Sequence, residues 1–283
     1  MSDYYSFKGF NIPVDLLNKT GGGVENFDEI SNGHISYLKK NIGIKKNDKI
    51  LEVGCGIGRD AIPLTEILGE EGSYYGIDII GRSIKWCKNN ISTRYKNFQF
   101  IHFNVKDQLH NPLGLRNQQN LKIPLQNDSI DTIFLWSVVT HLFEKDIVHY
   151  FKEFNRVLKP NGVIMITCFI VDDKILKKLK KINLTPYDLK FEHYYDDGCF
   201  INNKDVPAGA VAFTYEKMLE MINSGGLVLD RDLHVGNWWG KKNSKGFGQD
   251  VIFMKKNKAK KMNKIDYRDN IFHKLVKYIK SYF

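Results

Sequence analysis

The fold is decided by the stretch KILEVGCGIGRD, which occupies residues 49–60. An apolar run ending at Val53 predicts a buried strand, and the turn after it carries glycine at every second position, at residues 54, 56 and 58. Glycine in such a turn permits a positive φ and lets a ligand approach the backbone where a Cβ would block it. The helix predicted from Arg59 would add exposed N–H groups for polar ligand atoms. The stretch therefore predicts a nucleotide-cofactor loop.

The spacing of these glycines separates two kinds of cofactor. A dinucleotide site carries Gly-x-Gly-x-x-Gly, whereas here the third glycine comes one residue earlier and Arg59 takes the sixth position. Glu52 stands two residues before the first glycine. A carboxylate beside the ligand suits a positively charged cofactor better than a pyrophosphate. The loop therefore argues against a nicotinamide-dependent oxidoreductase, although that class stays an alternative.

Strand-like runs alternate with helical patterns after the loop, which is typical of a doubly wound α/β sheet. A second predicted strand ends in Asp78, twenty residues after Gly58, where a carboxylate can accept hydrogen bonds from both ribose hydroxyls. A third, over residues 98–103, leads to Asn104. A fourth, over residues 130–136, is followed by a helical pattern and by RVLKPNG at residues 156–162.

These segments, in this order, resemble the class I S-adenosylmethionine (SAM)-dependent methyltransferases, whose first motif is an acidic residue followed by Gly-x-Gly-x-Gly. The resemblance runs from about Ile50 to Phe169 and reappears near the C-terminal strands, where it is similar to a bacterial branch of unassigned substrate. It implies a Rossmann-like, doubly wound, seven-stranded sheet with an antiparallel C-terminal edge hairpin. It also implies SAM as cofactor and S-adenosylhomocysteine (SAH) as product.

The resemblance further implies which residues bind the cofactor. In the family, the position after the third strand often holds Asp or Asn near the adenine, which is Asn104 here, with Asp107 as a substitute. The predicted cofactor-binding residues are Glu52, Gly54, Cys55, Gly56, Gly58, Arg59, Asp78, Ile79, Asn104, Val105, Trp136 and Ser137.

Methyl transfer to an alcohol also removes a proton, which requires a base or a metal. The sequence has no carboxylate–histidine cluster with metal spacing, so no metal is expected. His141, just past the fourth strand, is the predicted base, and His193 is the second choice. Either histidine can instead pack or hydrogen-bond locally without touching a substrate.

The predicted acceptor is a small polar molecule, such as a saccharide hydroxyl. Trp136, Trp238 and Trp239 can form aromatic walls around a sugar or the sulfonium, or can simply pack in the core. The polar insertion over residues 172–207 is a candidate acceptor lid or a solvated surface excursion. The triplet Gly21–Gly23 is either a turn before a helix or a loop that closes the pocket.

Three parts follow along the chain: an N-terminal helical extension over residues 1–47, a methyltransferase domain over 48–254, and a basic tail over 255–283. The tail holds nine Lys and one Arg against two Asp, and thus most of the net charge of +10. The sequence therefore makes no strong case for nucleic acid. An amphipathic helix over residues 265–283 predicts docking on a membrane surface or in a partner's groove, or packing on the protein itself.

Four widely spaced cysteines and an N-terminus without the layout of a signal peptide indicate a cytoplasmic protein, with the tail allowing contact with the inner membrane surface. A non-catalytic SAM-binding scaffold would have the same motifs. A nucleic-acid methyltransferase is disfavoured, because the fourth strand leads into Trp136-Ser137 and not into Asn/Asp-Pro-Pro-aromatic. The oligomeric state is not predicted.

Overall fold

The computed structural model describes residues 3–107, 111–115, 121–181, 188–246 and 248–257. The strands are β1 Tyr4–Phe7, β2 Phe10–Pro13, β3 Lys49–Val53, β4 Ser73–Asp78, β5 Phe98–His102, β6 Ile130–Leu135, β7 Leu158–Cys168, β8 Ile170–Val171, β9 His193–Asp196, β10 Cys199–Ile201, β11 Val211–Thr214, β12 Leu227–Leu229 and β13 Asp250–Lys256. The α-helices are α1 Val14–Leu17, α2 Phe27–Asn41, α3 Ala61–Leu64, α4 Gly81–Cys87, α5 Glu144–Val157, α6 Asp173–Leu179 and α7 Tyr215–Ser224.

A seven-stranded sheet forms the centre of the molecule, in the order β12-β13-β7-β6-β3-β4-β5. Strands β7, β6, β3, β4 and β5 pair in parallel, and β13 pairs antiparallel with both β7 and β12. The predicted doubly wound sheet with its antiparallel edge hairpin is therefore confirmed. Because neighbouring parallel strands end at the same edge, the sheet brings together the residues that follow β3, β4 and β6.

Each face of the sheet is covered by helices. On one face, α5 and α7 contribute Phe151, Phe154 and Met218 to a buried cluster. On the other face, α2 contributes Phe27 and Leu38. The amphipathic stretch predicted over residues 27–42 is thus a helix packed on the sheet.

The N-terminal extension also contains a hairpin, where the sequence predicted only helix. Strands β1 and β2 pair antiparallel across the turn at Lys8 and Gly9, which both adopt a positive φ. The apolar side chains of Phe7, Phe10 and Ile12 are buried against the main core. The hairpin is too short for period-two alternation to be visible in sequence, so its burial comes from tertiary packing.

The insertion over residues 172–207 contributes to a second, four-stranded sheet in the order β8-β11-β10-β9. Its strands β9 and β10 pair with each other, and β10 joins β11 after the insertion. The predicted docking helix at 265–283 lies outside the described residues. Within the part of the chain that is described, no helix is long and apolar enough to span a membrane.

Candidate active site

A cavity of 660 Å³ opens where β3, β4 and β6 end. This volume is within the range of small-molecule sites, about 300–1,000 Å³. Besides the residues that follow these strands, the wall includes residues from the N-terminal extension, the segment after β7 and the loop before β13. The lining residues are Lys19, Thr20, Gly21, Gly22, Ile30, His34, Val53, Gly54, Gly56, Arg59, Ile77, Asp78, Ile79, Ile80, Asp107, Trp136, Ser137, Val138, His141, Leu142, Tyr150, Phe169, Leu189, Asn237, Trp238, Gly248 and Gln249.

The glycine loop after β3 has the conformation that its sequence predicts. Gly54 and Gly56 adopt φ values of +84° and +52°, which side-chain-bearing residues rarely tolerate. A Cβ on Gly54 would lie 2.4 Å from Cγ2 of Val138, and one on Gly56 would lie 2.8 Å from Oγ1 of Thr20. The loop therefore presents bare backbone to the cavity, as close binding of a nucleoside cofactor requires.

Asp78 ends β4 beside this loop, and its carboxylate is held by two backbone donors. The N–H of Gly56 donates to Oδ2 at 2.7 Å, and the N–H of Ile80 donates to Oδ1 at 2.7 Å. Each carboxylate oxygen can accept a second hydrogen bond. The carboxylate is thus fixed on the cavity wall, and a carboxylate there is the kind of acceptor that ribose hydroxyls require.

Of the twelve predicted cofactor residues, Gly54, Gly56, Arg59, Asp78, Ile79, Trp136 and Ser137 line the cavity. Glu52 lies beneath the loop, where the Tyr74 hydroxyl donates to its carboxylate and burial raises its pKa. Cys55, Gly58 and Val105 are not part of the wall. Asn104 accepts a hydrogen bond from Asn111 at 3.2 Å, and the cavity is lined instead by Asp107, which the sequence offered as the substitute.

His141, the predicted base, lies on the cavity wall at the end of a 3₁₀ turn, Val139–His141. Its Nδ1 is 2.9 Å from the carbonyl oxygen of Ala208, so the neutral ring donates from Nδ1 and keeps its lone pair on Nε2. His193 lies on β9 in the second sheet and is not part of the wall.

A second histidine on the wall, His34 of α2, was not predicted from the sequence. Its Nδ1 is 2.7 Å from Oδ2 of Asp60, and both side chains are buried. The imidazole stacks on Trp136, with ring centroids 3.9 Å apart and planes 6° apart. Because the two partners stand 26 residues apart on different elements, no local pattern could have revealed the pair.

One part of the cavity wall depends on Asp250, the first residue of β13. Its Oδ2 accepts hydrogen bonds from the N–H of Ile170 at 2.8 Å and from Nε1 of Trp238 at 2.9 Å, and its Oδ1 accepts from the N–H of Gly236 at 2.7 Å. Burial raises the pKa of this carboxyl to about 6, against these hydrogen bonds, which lower it. Trp238 lines the cavity, whereas Trp239 is buried next to Lys178 and does not.

The glycine triplet lies at the cavity, as one of its two predicted roles requires. Gly21 and Gly22 line it, and the Gly21 carbonyl accepts a hydrogen bond from Nη1 of Arg59 at 2.5 Å. Ser31 of α2 donates to the Arg59 carbonyl at 2.9 Å. The N-terminal extension is therefore attached directly to Arg59, at the end of the glycine loop.

Comparison with known proteins agrees with this geometry. A family model described as a methyltransferase domain matches residues 44–226. A sterol 24-C-methyltransferase of Gibberella zeae is 24% identical over 223 residues, which cover 76% of this chain and 52% of that protein. A demethylmenaquinone methyltransferase of Lysinibacillus sphaericus is 25% identical over 150 residues, or 50% of this chain and 56% of that protein. The chain thus spans about half the length of these curated relatives.

Among solved structures, a SAM-dependent methyltransferase from Clostridium acetobutylicum superposes with a TM-score of 0.50 at 17% identity, covering 86% of this chain and 96% of that one. At this identity the likeness shows the fold. The family match covers well over half of the chain and includes the glycine loop and Asp78. The chain therefore belongs to the methyltransferase-domain family, whose methyl donor is S-adenosylmethionine.

Proposed function

We propose that this protein transfers the methyl group of SAM to a hydroxyl of a small polar acceptor. The observation that carries the proposal is a single cavity that combines the glycine loop and the Asp78 carboxylate with histidine and amide side chains. SAM supplies a methyl group on a positively charged sulfur, and the protein has to align the acceptor with it and remove a proton.

The cofactor would be held by groups from the strand ends. The backbone of Gly54 and Gly56 would contact it closely, and Asp78 would accept hydrogen bonds from the ribose hydroxyls. Asp107 and Ile79 lie on the same wall and are suited to the adenine side. Arg59 holds the N-terminal loop against this part of the cavity.

Other residues of the wall suit a polar acceptor with an apolar face. Asn237, Gln249 and Ser137 offer hydrogen-bonding groups there, and the Ser137 hydroxyl donates to Gln249 at 3.2 Å. Trp238 and Phe169 add aromatic surface on which a saccharide ring can pack. This combination supports the saccharide hydroxyl as the first acceptor class to test.

A second candidate acceptor is a larger apolar ring system. The apolar part of the wall, which includes Leu142, Phe169 and Leu189, favours it. Two relatives named above are, by their names, a sterol and a demethylmenaquinone methyltransferase. The acceptor screen therefore includes both classes.

His141, the base predicted from the sequence, lines the cavity with its tautomer set by the Ala208 carbonyl, which supports this role. His141→Ala should lower turnover on the order of 100-fold while SAH affinity stays nearly unchanged. A fully active variant would remove His141 from this role. His34 lies on the same wall and competes for it.

The first experiment is calorimetric titration of the full chain with SAH, SAM and NADPH. Micromolar binding of SAH or SAM without NADPH binding supports the proposal, and NADPH binding alone would overturn it. A screen of methyl glycosides, sterols and quinols with radiolabelled SAM then tests the acceptor. If SAM or SAH binds but no methyl group is transferred to any of these acceptor classes, the result would favour a non-catalytic SAM-binding scaffold.

A further inference from the structure

We propose that His34, oriented by Asp60, accepts the proton that the acceptor hydroxyl loses during methyl transfer. The inference rests on the proposed function and names the group that performs its proton transfer. His34 would be the catalytic residue and Asp60 a positioning residue that acts through it.

The pair has the geometry of a base and its orienting group. His34 lines the cavity, whereas Asp60 lies behind it and does not form part of the wall. The carboxylate engages Nδ1 at 2.7 Å, so Nδ1 carries the hydrogen and Nε2 carries the lone pair. A carboxylate that holds a histidine in this tautomer is the arrangement found behind general-base histidines in hydrolases.

The pair is also rigidly held. The imidazole stacks on Trp136, which itself lines the cavity, and both His34 and Asp60 are almost fully buried, at 4% and 2% exposure. A base fixed between an indole face and a carboxylate loses little entropy when it meets a proton donor. Positioning of this kind is a large part of what a catalytic group contributes.

The surroundings of the ring favour its neutral form. Burial lowers the pKa of His34, with Arg59 acting in the same direction and the Asp60 carboxylate opposing both. The ring is therefore neutral and able to accept a proton near pH 7. Once the imidazolium forms, the carboxylate 2.7 Å away stabilises it.

His141 has only a neutral partner by comparison. Its Nδ1 donates to the backbone carbonyl of Ala208, which sets the tautomer but compensates a positive charge less than a carboxylate does. The Asp60–His34 pair is therefore better suited than His141 to hold a proton during turnover.

During methyl transfer, the O–H bond of the acceptor breaks and its proton moves to Nε2 of His34. The electron pair left on oxygen forms the bond to the methyl carbon, and the pair of the broken carbon–sulfur bond stays on sulfur, which leaves neutral SAH. The proton then passes from His34 to solvent.

The first test needs no acceptor, because diethyl pyrocarbonate acylates neutral imidazole nitrogens and peptide mapping by mass spectrometry locates the product. The full wild-type chain is treated with the reagent. His34 should be modified with a pH dependence that reports its own ionisation, and saturating SAH should slow that modification at least tenfold. A His34 that stays unmodified up to pH 8, or whose modification ignores SAH, would overturn the proposal.

Asp60→Asn separates orientation from packing. An asparagine amide can donate to Nδ1 and move the ring hydrogen to Nε2, as happens when the aspartate of a catalytic triad is replaced. We expect ¹⁵N NMR to show Nε2–H on His34 in this variant and diethyl pyrocarbonate labelling there to fall on the order of tenfold. An unchanged tautomer and labelling rate would contradict the positioning role.

Turnover decides between the two histidines. With the hydroxyl acceptor that gives the highest rate in the screen, His34→Gln should lower kcat on the order of 100-fold, abolish the acidic limb of the pH profile and leave SAH affinity within about threefold. His149→Gln is the matched control, since His149 bonds the Leu121 carbonyl away from the cavity. Full activity in His34→Gln overturns the inference while SAH binding still supports the proposed function.

Discussion

The two walls of the cavity are built in different ways. The cofactor wall comes from short segments at neighbouring strand ends, and Gly56 and Asp78 meet there because β3 and β4 pair in parallel. The proposed acceptor wall is assembled from distant parts of the chain, since the Asp250 carboxylate that holds Trp238 on this wall also binds Ile170, 80 residues away. The cofactor wall is therefore a property of a motif, and the acceptor wall is a property of the whole fold.

The largest expected effect concerns the cofactor wall. Gly54→Ala would place a Cβ 2.4 Å from Val138 in a backbone conformation with φ of +84°. Strain and overlap together cost roughly 3–4 kcal/mol, and we expect most of this to appear as lost SAH affinity, because relief requires the loop to move. Calorimetry with SAH measures it.

Gly9→Ala is the matched control. Gly9 has a similar φ of +79°, but a Cβ there meets nothing within 4 Å. This variant should lose some stability and bind SAH normally. Equal losses of affinity in both variants would mean that the glycine loop has no special role in binding.

The next largest effect is a pH dependence of stability that comes from Asp250, the carboxylate behind the proposed acceptor wall. The pKa of Asp250 is about 6 in the folded protein against an ordinary 3.8, so between pH 4 and 6 the folded state binds this proton more readily than the unfolded state. This contribution to stability is therefore present at low pH and lost as pH rises through about 6. It amounts to roughly 3 kcal/mol.

Asp250→Asn should lack this dependence. Urea unfolding of both proteins at pH 4, 5, 6 and 7 should show the stability of the wild type falling relative to the variant across that window. Parallel pH curves would show that Asp250 does not titrate there.

A smaller loss of affinity is expected at the ribose position. Asp78→Asn retains the shape of the side chain but replaces an oxygen acceptor with an amide donor, so the Gly56 or the Ile80 N–H loses its partner. We expect SAH affinity to fall by about 2 kcal/mol, or roughly 30-fold. Unchanged affinity would remove Asp78 from the proposed site.

The contrast between the walls also explains what the sequence could predict. The long apolar strands, the glycine loop and Asp78 follow from local patterns, and the structure places them as expected. Strands β9 and β10 have only four and three residues, so no periodicity marks them. Other features depend on how loops cross the edge of the sheet, which composition does not determine. These are the contact between His34 and Asp60 and the position of Asp107, rather than Asn104, on the cavity wall.

The smallest effect concerns the insertion. Lys178 of α6 donates to the Gly240 carbonyl at 3.2 Å and lies 4.9 Å from the centre of the Trp239 ring. Lys178→Ala should lower the free energy of unfolding by about 1 kcal/mol. The exposed Lys177 serves as control, and equal thermal stability of the two alanine variants would show that this contact does not anchor α6.

The hydrogen bond from Arg59 to Gly21 has a kinetic consequence. A residue of the cofactor loop holds the N-terminal segment against the same cavity that a nucleoside must enter and leave. In the proposed binding mode, SAH would leave past this contact and past the hydrogen bond from Ser31 to the Arg59 carbonyl, so its residence time would depend on how often these bonds open. The N-terminal extension would then act as a timing element for repeated turnover.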